Sequence, residues 1–187
     1  GAGSAVIKQS IYGLNCQPVP EFSSSGMGGL YLSGLEEAIV VSMGTGTAII
    51  HAKKVGEKHS FEYLGGTGVG GGTLLGLSKK MLGMDNIEHI ENLAKDGNLS
   101  HIDLKINDLT KADIVPGFSD TMTASNFGNV SDIATKADIA LGVINLVFET
   151  IGLGFRTAST MLMNLSTYLL GKIGFAKTQT IEEGTNT

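Results

Sequence analysis

A chain of 187 residues, 42% of them apolar and with a formal charge of −5, can bury a core but offers nucleic acid no basic face. Its single cysteine, Cys16, excludes an intrachain disulfide and a cysteine cluster for zinc, and fits a reducing, cytoplasmic setting. No charged-then-apolar leader is visible, and Glu149 and Arg156 interrupt the apolar run 139–148 before the roughly 18 residues of a membrane span. The chain reads as soluble, with neither membrane nor nucleic acid as partner, and its length suits one domain or two small lobes.

Taken in order, residues 4–11 pattern as a short helix stopped at Gly13. Pro18 and Pro20 make 17–22 extended or an edge strand. A helix is expected over 23–35, capped by Ser23, Ser24 or Ser25. Its glycines cost about 0.5–1 kcal/mol each against alanine, so close packing or ligand access must justify them. Residues 37–42 are an apolar run, as in a buried strand. Residues 48–53 and 59–64 flank the turn Val55-Gly56-Glu57-Lys58 as an antiparallel pair.

A helix then starts on glycines at 71–82, and a second follows over 86–95, with Ile87, Ile90, Leu93 and Ala94 at helical spacing and Gly97 as its stop. Ile102, Leu104 and Ile106 alternate with polar residues, which predicts a half-buried strand over 101–108. Loop and turns are expected over 110–129, then a helix over 135–163 with Thr135 and Asp138 in a box-like cap and a break at Gly152 or Gly154. A strand at 167–170, a turn at Gly171-Lys172 and a helix start at 178–183 complete the reading. Strands followed by helices with hairpins between them indicate an α/β fold with a mixed sheet.

Glycine is concentrated at 26–34, 44–46 and 65–76 rather than spread along the chain. The first loop, Gly44-Thr45-Gly46-Thr47, joins two strands, and the second cluster runs from a strand into a helix. Without a Cβ, glycine lets backbone approach a ligand closely, and amides opening a helix form an anion site. Thr67 and Thr73 add hydroxyls suited to a phosphate or a metal-bound water. No Gly-Lys-Ser/Thr follows, so this is not a Walker A loop, and the spacing of Gly68, Gly70 and Gly71 is not that of the dinucleotide fingerprint. The same glycines also suit a tight hairpin and a close strand–helix crossing. Two glycine–threonine loops on consecutive strands favour a phosphate-handling site.

V-S-M-G-T-G-T-A at 41–48, followed by G-G-T-G-V-G-G-G-T-L-L-G-L at 65–77, resembles the type II pantothenate kinase family, which includes the eukaryotic pantothenate kinases. Pro20-Glu21-Phe22, A-K-D-G-N at 94–98 and T-A-S-N-F-G-N-V at 123–130 agree in the same order. The likeness covers nearly the whole chain and is weakest after Phe155. It implies an actin-like ATPase (acetate kinase/sugar kinase/Hsp70) fold, truncated, with 1–36 as the remainder of an N-terminal lobe. Residues 37–187 would form a C-terminal lobe for nucleotide, pantothenate and dimerisation. Both ends are expected to be cut, since the family's D-x-G-G-T hairpin and its late G-A-x-G-A-like segment have no counterpart here, and the chain by itself is expected to turn over poorly or not at all.

The implied reaction moves the γ-phosphate of ATP, with Mg2+, to the 4′-hydroxyl of pantothenate, the first step of coenzyme A synthesis. By the same resemblance Glu21 is the general base. Thr45, Gly46, Thr47, Gly71, Gly72, Thr73, Leu74 and Leu75 take the nucleotide, and Tyr63, Gly65 and Thr67 the substrate. Tyr63 stands where many relatives have arginine, and Ala48 where they have a second serine, so a CoA or acyl-CoA effector loses two of its contacts. Asn126-Phe127-Gly128-Asn129 matches a turn near the family's dimer and substrate region, and Lys172 is either a solvated turn lysine or faces the adenine. The four histidines and Asp85, Asp103, Asp108 and Asp113 have no metal-ligand spacing, so magnesium falls to ATP and to the family's N-terminal aspartate. The alternatives are a sugar-type kinase of the same fold or a non-catalytic nucleotide-binding module.

Overall fold

A computed structural model describes residues 12–14, 16–109 and 122–173, with 163–173 described by backbone alone. The expected helices at 4–11 and 178–183 and the turn at Pro116-Gly117 lie outside the described residues.

The first helix, α1 (Glu21–Ser33), starts two residues before the expected position, because Pro20 rather than a serine stands at its N-terminus with φ −59°. The Pro20 carbonyl accepts from the Ser24 amide at 3.0 Å and from the Ser24 hydroxyl at 2.9 Å. Gly34, at φ +71°, stops it by donating to the Leu30 carbonyl at 2.9 Å. Three strands follow as an antiparallel sheet, not the expected mixed one, in the order β1 (Glu37–Met43), β2 (Thr47–Val55), β3 (Lys58–Thr67), because short hairpin connections join them. The β2–β3 turn is the expected one, with Gly56 at φ +63°. Between Ile49, opposite Gly65, and Ile50, opposite Tyr63, the register shifts, so Leu64 is an extra residue on β3.

The glycines of α1 meet the sheet. A Cβ at Gly26 would lie 2.6 Å from the Phe61 ring, and one at Gly29 would lie 2.5 Å from Val40. They bring a helix with little amphipathic pattern of its own flush onto Val40, Ala52 and Phe61. On the other face, Val41 packs into a core of Leu74, Leu82, Ile90, Ala94, Val143, Val147 and Ile151. These come from α2 (Gly71–Leu82), α3 (Ile87–Ala94) and the long α5 (Lys136–Ile173). The main body is therefore a helix, a sheet and a helical layer in sequence.

Three expectations are corrected. Residues 101–108 are not a strand but a 3₁₀ turn at Leu99–His101, a two-residue strand β4 (Leu104–Lys105) and one turn of helix, α4 (Ile106–Leu109). β4 pairs with β5 (Thr123–Ser125). The alternation fails because Ile102 and Asp103, neighbours in sequence, are both fully buried. The long helix does not break at Gly152 or Gly154: the buried Ile151 and Ala158 hold the helix on through both glycines. Residues 167–170 and Gly171-Lys172 accordingly continue α5 instead of forming a strand and a turn.

The start of α5 is as expected. Thr135 Oγ1 accepts from the Asp138 amide at 3.2 Å, and Asp138 accepts from the Thr135 amide at 2.7 Å, which is a reciprocal cap. By length and composition α5 could also cross a membrane over Lys136–Leu162, with mean hydropathy 1.6. Its Ala140, Val143 and Val147 are fully buried under neighbouring elements, while Phe148, Leu153 and Met161 are exposed.

Candidate functional site

The two glycine loops are locked into one another. The Gly71 amide donates to the Gly44 carbonyl at 2.9 Å, and the Gly72 amide to the Thr45 carbonyl at 2.9 Å. Gly44 itself donates to the Gly46 carbonyl at 2.8 Å, closing the first loop. The contact leaves no room for side chains. A Cβ at Gly70 would sit 2.7 Å from the Gly46 carbonyl, one at Gly72 2.8 Å from Thr45, and one at Gly46 2.9 Å from the Thr67 carbonyl. The first two amides of α2, expected to be offered to an anion, are thus engaged with backbone carbonyls.

Threonines finish the lock. The buried Thr47 donates its hydroxyl to the Val69 carbonyl at 2.9 Å, and the Val69 amide donates to Thr67 Oγ1 at 3.1 Å. Thr73 Oγ1 accepts from the Gly70 amide at 3.3 Å and donates to the Gly68 carbonyl at 3.1 Å. Thr45 stays exposed at the tip of the first loop.

The lock separates two cavities. On one side, Thr47, Gly65 and Thr67 face Thr150, Thr157 and Met161 of α5 across a cleft of about 440 Å³. On the other, Gly71 and Leu74 line an apolar pocket of about 290 Å³ with Met43, Ile90 and Phe148, and Glu91 supplies its one charge. Leu75, next to Leu74, packs against the core instead of lining the pocket.

Glu21 opens α1, and the next residue, Phe22, stacks on Tyr63 with ring centroids 4.7 Å apart and planes within 10°. The Tyr63 hydroxyl lies 2.8 Å from where a Cβ of Gly66 would be. The stack therefore ties the helix start that carries Glu21 to the Gly65-Gly66 edge of β3. Tyr63 is engaged here in ring stacking. Lys172 lies in the helical part of α5 rather than in a loop, and its side chain is outside the described residues.

A second polar cluster escaped sequence reasoning. Asp103, fully buried, accepts from the Phe127 amide at 2.9 Å and from Asn145 Nδ2 at 2.8 Å. Glu149, one turn on from Asn145, accepts from Thr123 Oγ1 at 2.8 Å and Asn126 Nδ2 at 2.9 Å. Asp138 accepts from the Asn98 amide at 2.7 Å and from His101 Nδ1 at 3.1 Å besides its capping bond. Bonds from the Thr135 and Asn98 amides hold its carboxyl well below the usual carboxylate range. The Asn126-Phe127-Gly128-Asn129 turn, with Phe127 at φ +56°, is thereby fastened to α5. Asn145 and Glu149, polar residues four apart on an apolar helix, were the available signal.

A protein-family model described as Fumble matches residues 35–168, more than half of the chain. A type II pantothenate kinase of Staphylococcus saprophyticus is 36% identical over 121 residues, which cover 63% of this chain and 44% of the relative. One of Bacillus cereus (strain ATCC 10987) is 34% identical over 118 residues, 60% of this chain and 40% of the relative. One of Oceanobacillus iheyensis is 30% identical over 150 residues, 76% of this chain and 54% of the relative. The matches thus span about half the length of these relatives. By the extent of the family match, the chain belongs to the Fumble family.

Proposed function

We propose that the chain is the glycine-loop portion of an ATP-dependent pantothenate kinase, forming 4′-phosphopantothenate. The observation that carries this reading is the lock of Gly44–Thr47 with Gly68–Thr73, in a chain similar to enzymes named type II pantothenate kinase. Phosphoryl transfer asks for positioning and charge stabilisation more than for covalent chemistry. In this reading the phosphates lie on the Thr45-Gly46-Thr47 side and beside Gly71, Gly72 and Thr73, with the two glycine amides and the Thr73 hydroxyl proton held within the lock. The nucleoside then reaches the pocket at Leu74, where Glu91 suits a ribose hydroxyl. Pantothenate occupies the cleft edge at Gly65 and Thr67, next to Tyr63, which precedes the cleft-lining Leu64.

Glu21 accepts the proton of the 4′-hydroxyl as that oxygen bonds the γ-phosphorus and the bond to ADP breaks. Among the described residues no group of three His, Cys, Asp or Glu is placed to hold a metal ion. Magnesium in this reading arrives on the nucleotide, and no step is assigned to it. The actin-like ATPase fold, a cytoplasmic homodimer and a CoA or acyl-CoA effector belong to the same proposal. So does the division near residue 36.

The Phe22–Tyr63 stack in place of a guanidinium favours a second reading, a nucleotide-binding module without acceptor chemistry. The deciding measurement is ATP-dependent phosphorylation of pantothenate by the chain extended to the length of its relatives, beside Glu21→Ala. We expect product from the parent and a rate lower by about 10²–10⁴-fold in the variant. Equal product from both removes Glu21 from its role, and bound ATP without product from either selects the binding module.

A further inference from the structure

The four threonines of the lock divide by where their hydroxyl protons go. A phosphate has only acceptor oxygens, so a hydroxyl serves it by donating. Thr47, 6% exposed, has its proton committed to the Val69 carbonyl at 2.9 Å. Thr73 has its proton on the Gly68 carbonyl at 3.1 Å. Thr67 only accepts, from the Val69 amide at 3.1 Å, which leaves its proton available, and Thr45 is exposed. Thr47 and Thr67 stand opposite one another across β2 and β3, so between them they hold both polar backbone atoms of Val69.

We propose that Thr47 is a positioning residue: through Val69 it sets the shape of the 68–70 segment, and with it the affinity for a nucleoside triphosphate. The inference rests on the kinase reading above and reassigns Thr47 within it, from a phosphate contact to a support for that contact. The segment has no side chain of its own to shape it at Gly68 and Gly70. Glycine is also the residue with most backbone freedom to lose, so an outside tie is needed to keep one conformation. Thr47 supplies it from a strand.

The test compares Mg–ATP affinity by calorimetry for the chain, Thr47→Val and Thr47→Ser, with amide hydrogen exchange over 68–72. Thr47→Val keeps the β-branched shape and removes the donor. It should weaken Mg–ATP binding about tenfold, the equivalent of one hydrogen bond, and speed exchange at Val69 and Gly70. Thr47→Ser should restore both. Unchanged affinity in Thr47→Val overturns the assignment, and so does a loss in Thr47→Ser as large as that in Thr47→Val. If Thr47→Val does not fold, Thr47→Ala, which removes the same donor with less bulk, carries the same expectation. A parent that binds no ATP overturns the kinase reading and the assignment together, whereas a parent that binds with Thr47→Val unchanged overturns the assignment alone.

Discussion

The glycine lock and the segments docked on the first turns of α5 both hold irregular backbone in place, with opposite materials. In the lock, carbonyls of Gly44 and Thr45 meet amides of Gly71 and Gly72, and hydroxyls close what remains. No charge takes part. At α5, the carboxylates of Asp103, Asp138 and Glu149 reach amides and side chains of the 98–103 and 123–135 segments. Backbone-to-backbone contact demands that side chains be absent, so it is intolerant of shape and indifferent to pH. Carboxylate contact keeps the backbones further apart, so it tolerates shape and depends on protonation.

The largest expected effect comes from filling the lock. Gly70 is extended, at φ −175°, a conformation open to any residue, so the argument is one of space alone. Gly70→Ala would push a methyl to 2.7 Å from the Gly46 carbonyl, backbone against backbone, where neither side can turn away. A loss of about 3 kcal/mol or more in urea unfolding is expected. Gly68→Ala, two residues earlier with nothing within 4 Å of the added methyl, is the control and should stay within about 0.5 kcal/mol of the parent. Similar losses in both would mean that glycine is needed there for flexibility, and the contrast between the two regions would collapse.

Both regions were unequally legible in sequence. Helix α2 and the β2–β3 hairpin followed from glycine stops and apolar runs, because local chemistry decides them. That the loops would be glycine-rich was plain. That they would bind each other was not, since carbonyl–amide pairing leaves no mark on side-chain identity. The region before α5 was misread for a different reason: Ile102-Asp103-Leu104 alternates as a strand does, but Asp103 is buried by its bonds to Phe127 and Asn145, which lie far along the chain. Only Thr135–Asp138, a local pair, was visible there. Gly152 and Gly154 are misleading because burial of Ile151 and Ala158 on the same helix outweighs a propensity cost of about 1 kcal/mol each.

Acid should separate the regions next. The Asp138 carboxyl is held below its ordinary value of 3.8, chiefly by the Thr135 and Asn98 amides, so it binds protons less readily folded than unfolded. Its contribution to stability is then present above that ordinary value and is lost as pH falls through it toward the folded one. The urea midpoint of the parent should drop between about pH 5 and pH 3. Asp138→Asn should be weaker at neutral pH and flatter over that window. Some slope will remain, because Glu36 and Glu37 are also held low, Glu36 by Lys54 and Glu37, against the opposing pull of burial, by His51 and Lys53. A variant as acid-sensitive as the parent would show that the cluster does not depend on this carboxylate.

The smallest effect concerns a polar atom that neither region has engaged. Ser78, in the middle of α2 and fully buried, is the one side chain among the described residues whose buried oxygen finds no partner. Asp103 is equally buried but accepts two bonds, so the pair separates burial from satisfaction. A buried hydroxyl without a partner costs about 1–3 kcal/mol in desolvation, and serine is a poorer helix former than alanine by about 0.5 kcal/mol. Against this, Ser78→Ala leaves a void of one oxygen, a loss of packing smaller than a methylene's roughly 0.8 kcal/mol. A net gain of about 0.5–1 kcal/mol is expected, raising Tm by about 1–4 °C. An unchanged or lower Tm would mean that the hydroxyl is satisfied in solution, and that the core between α2 and α5 admits water.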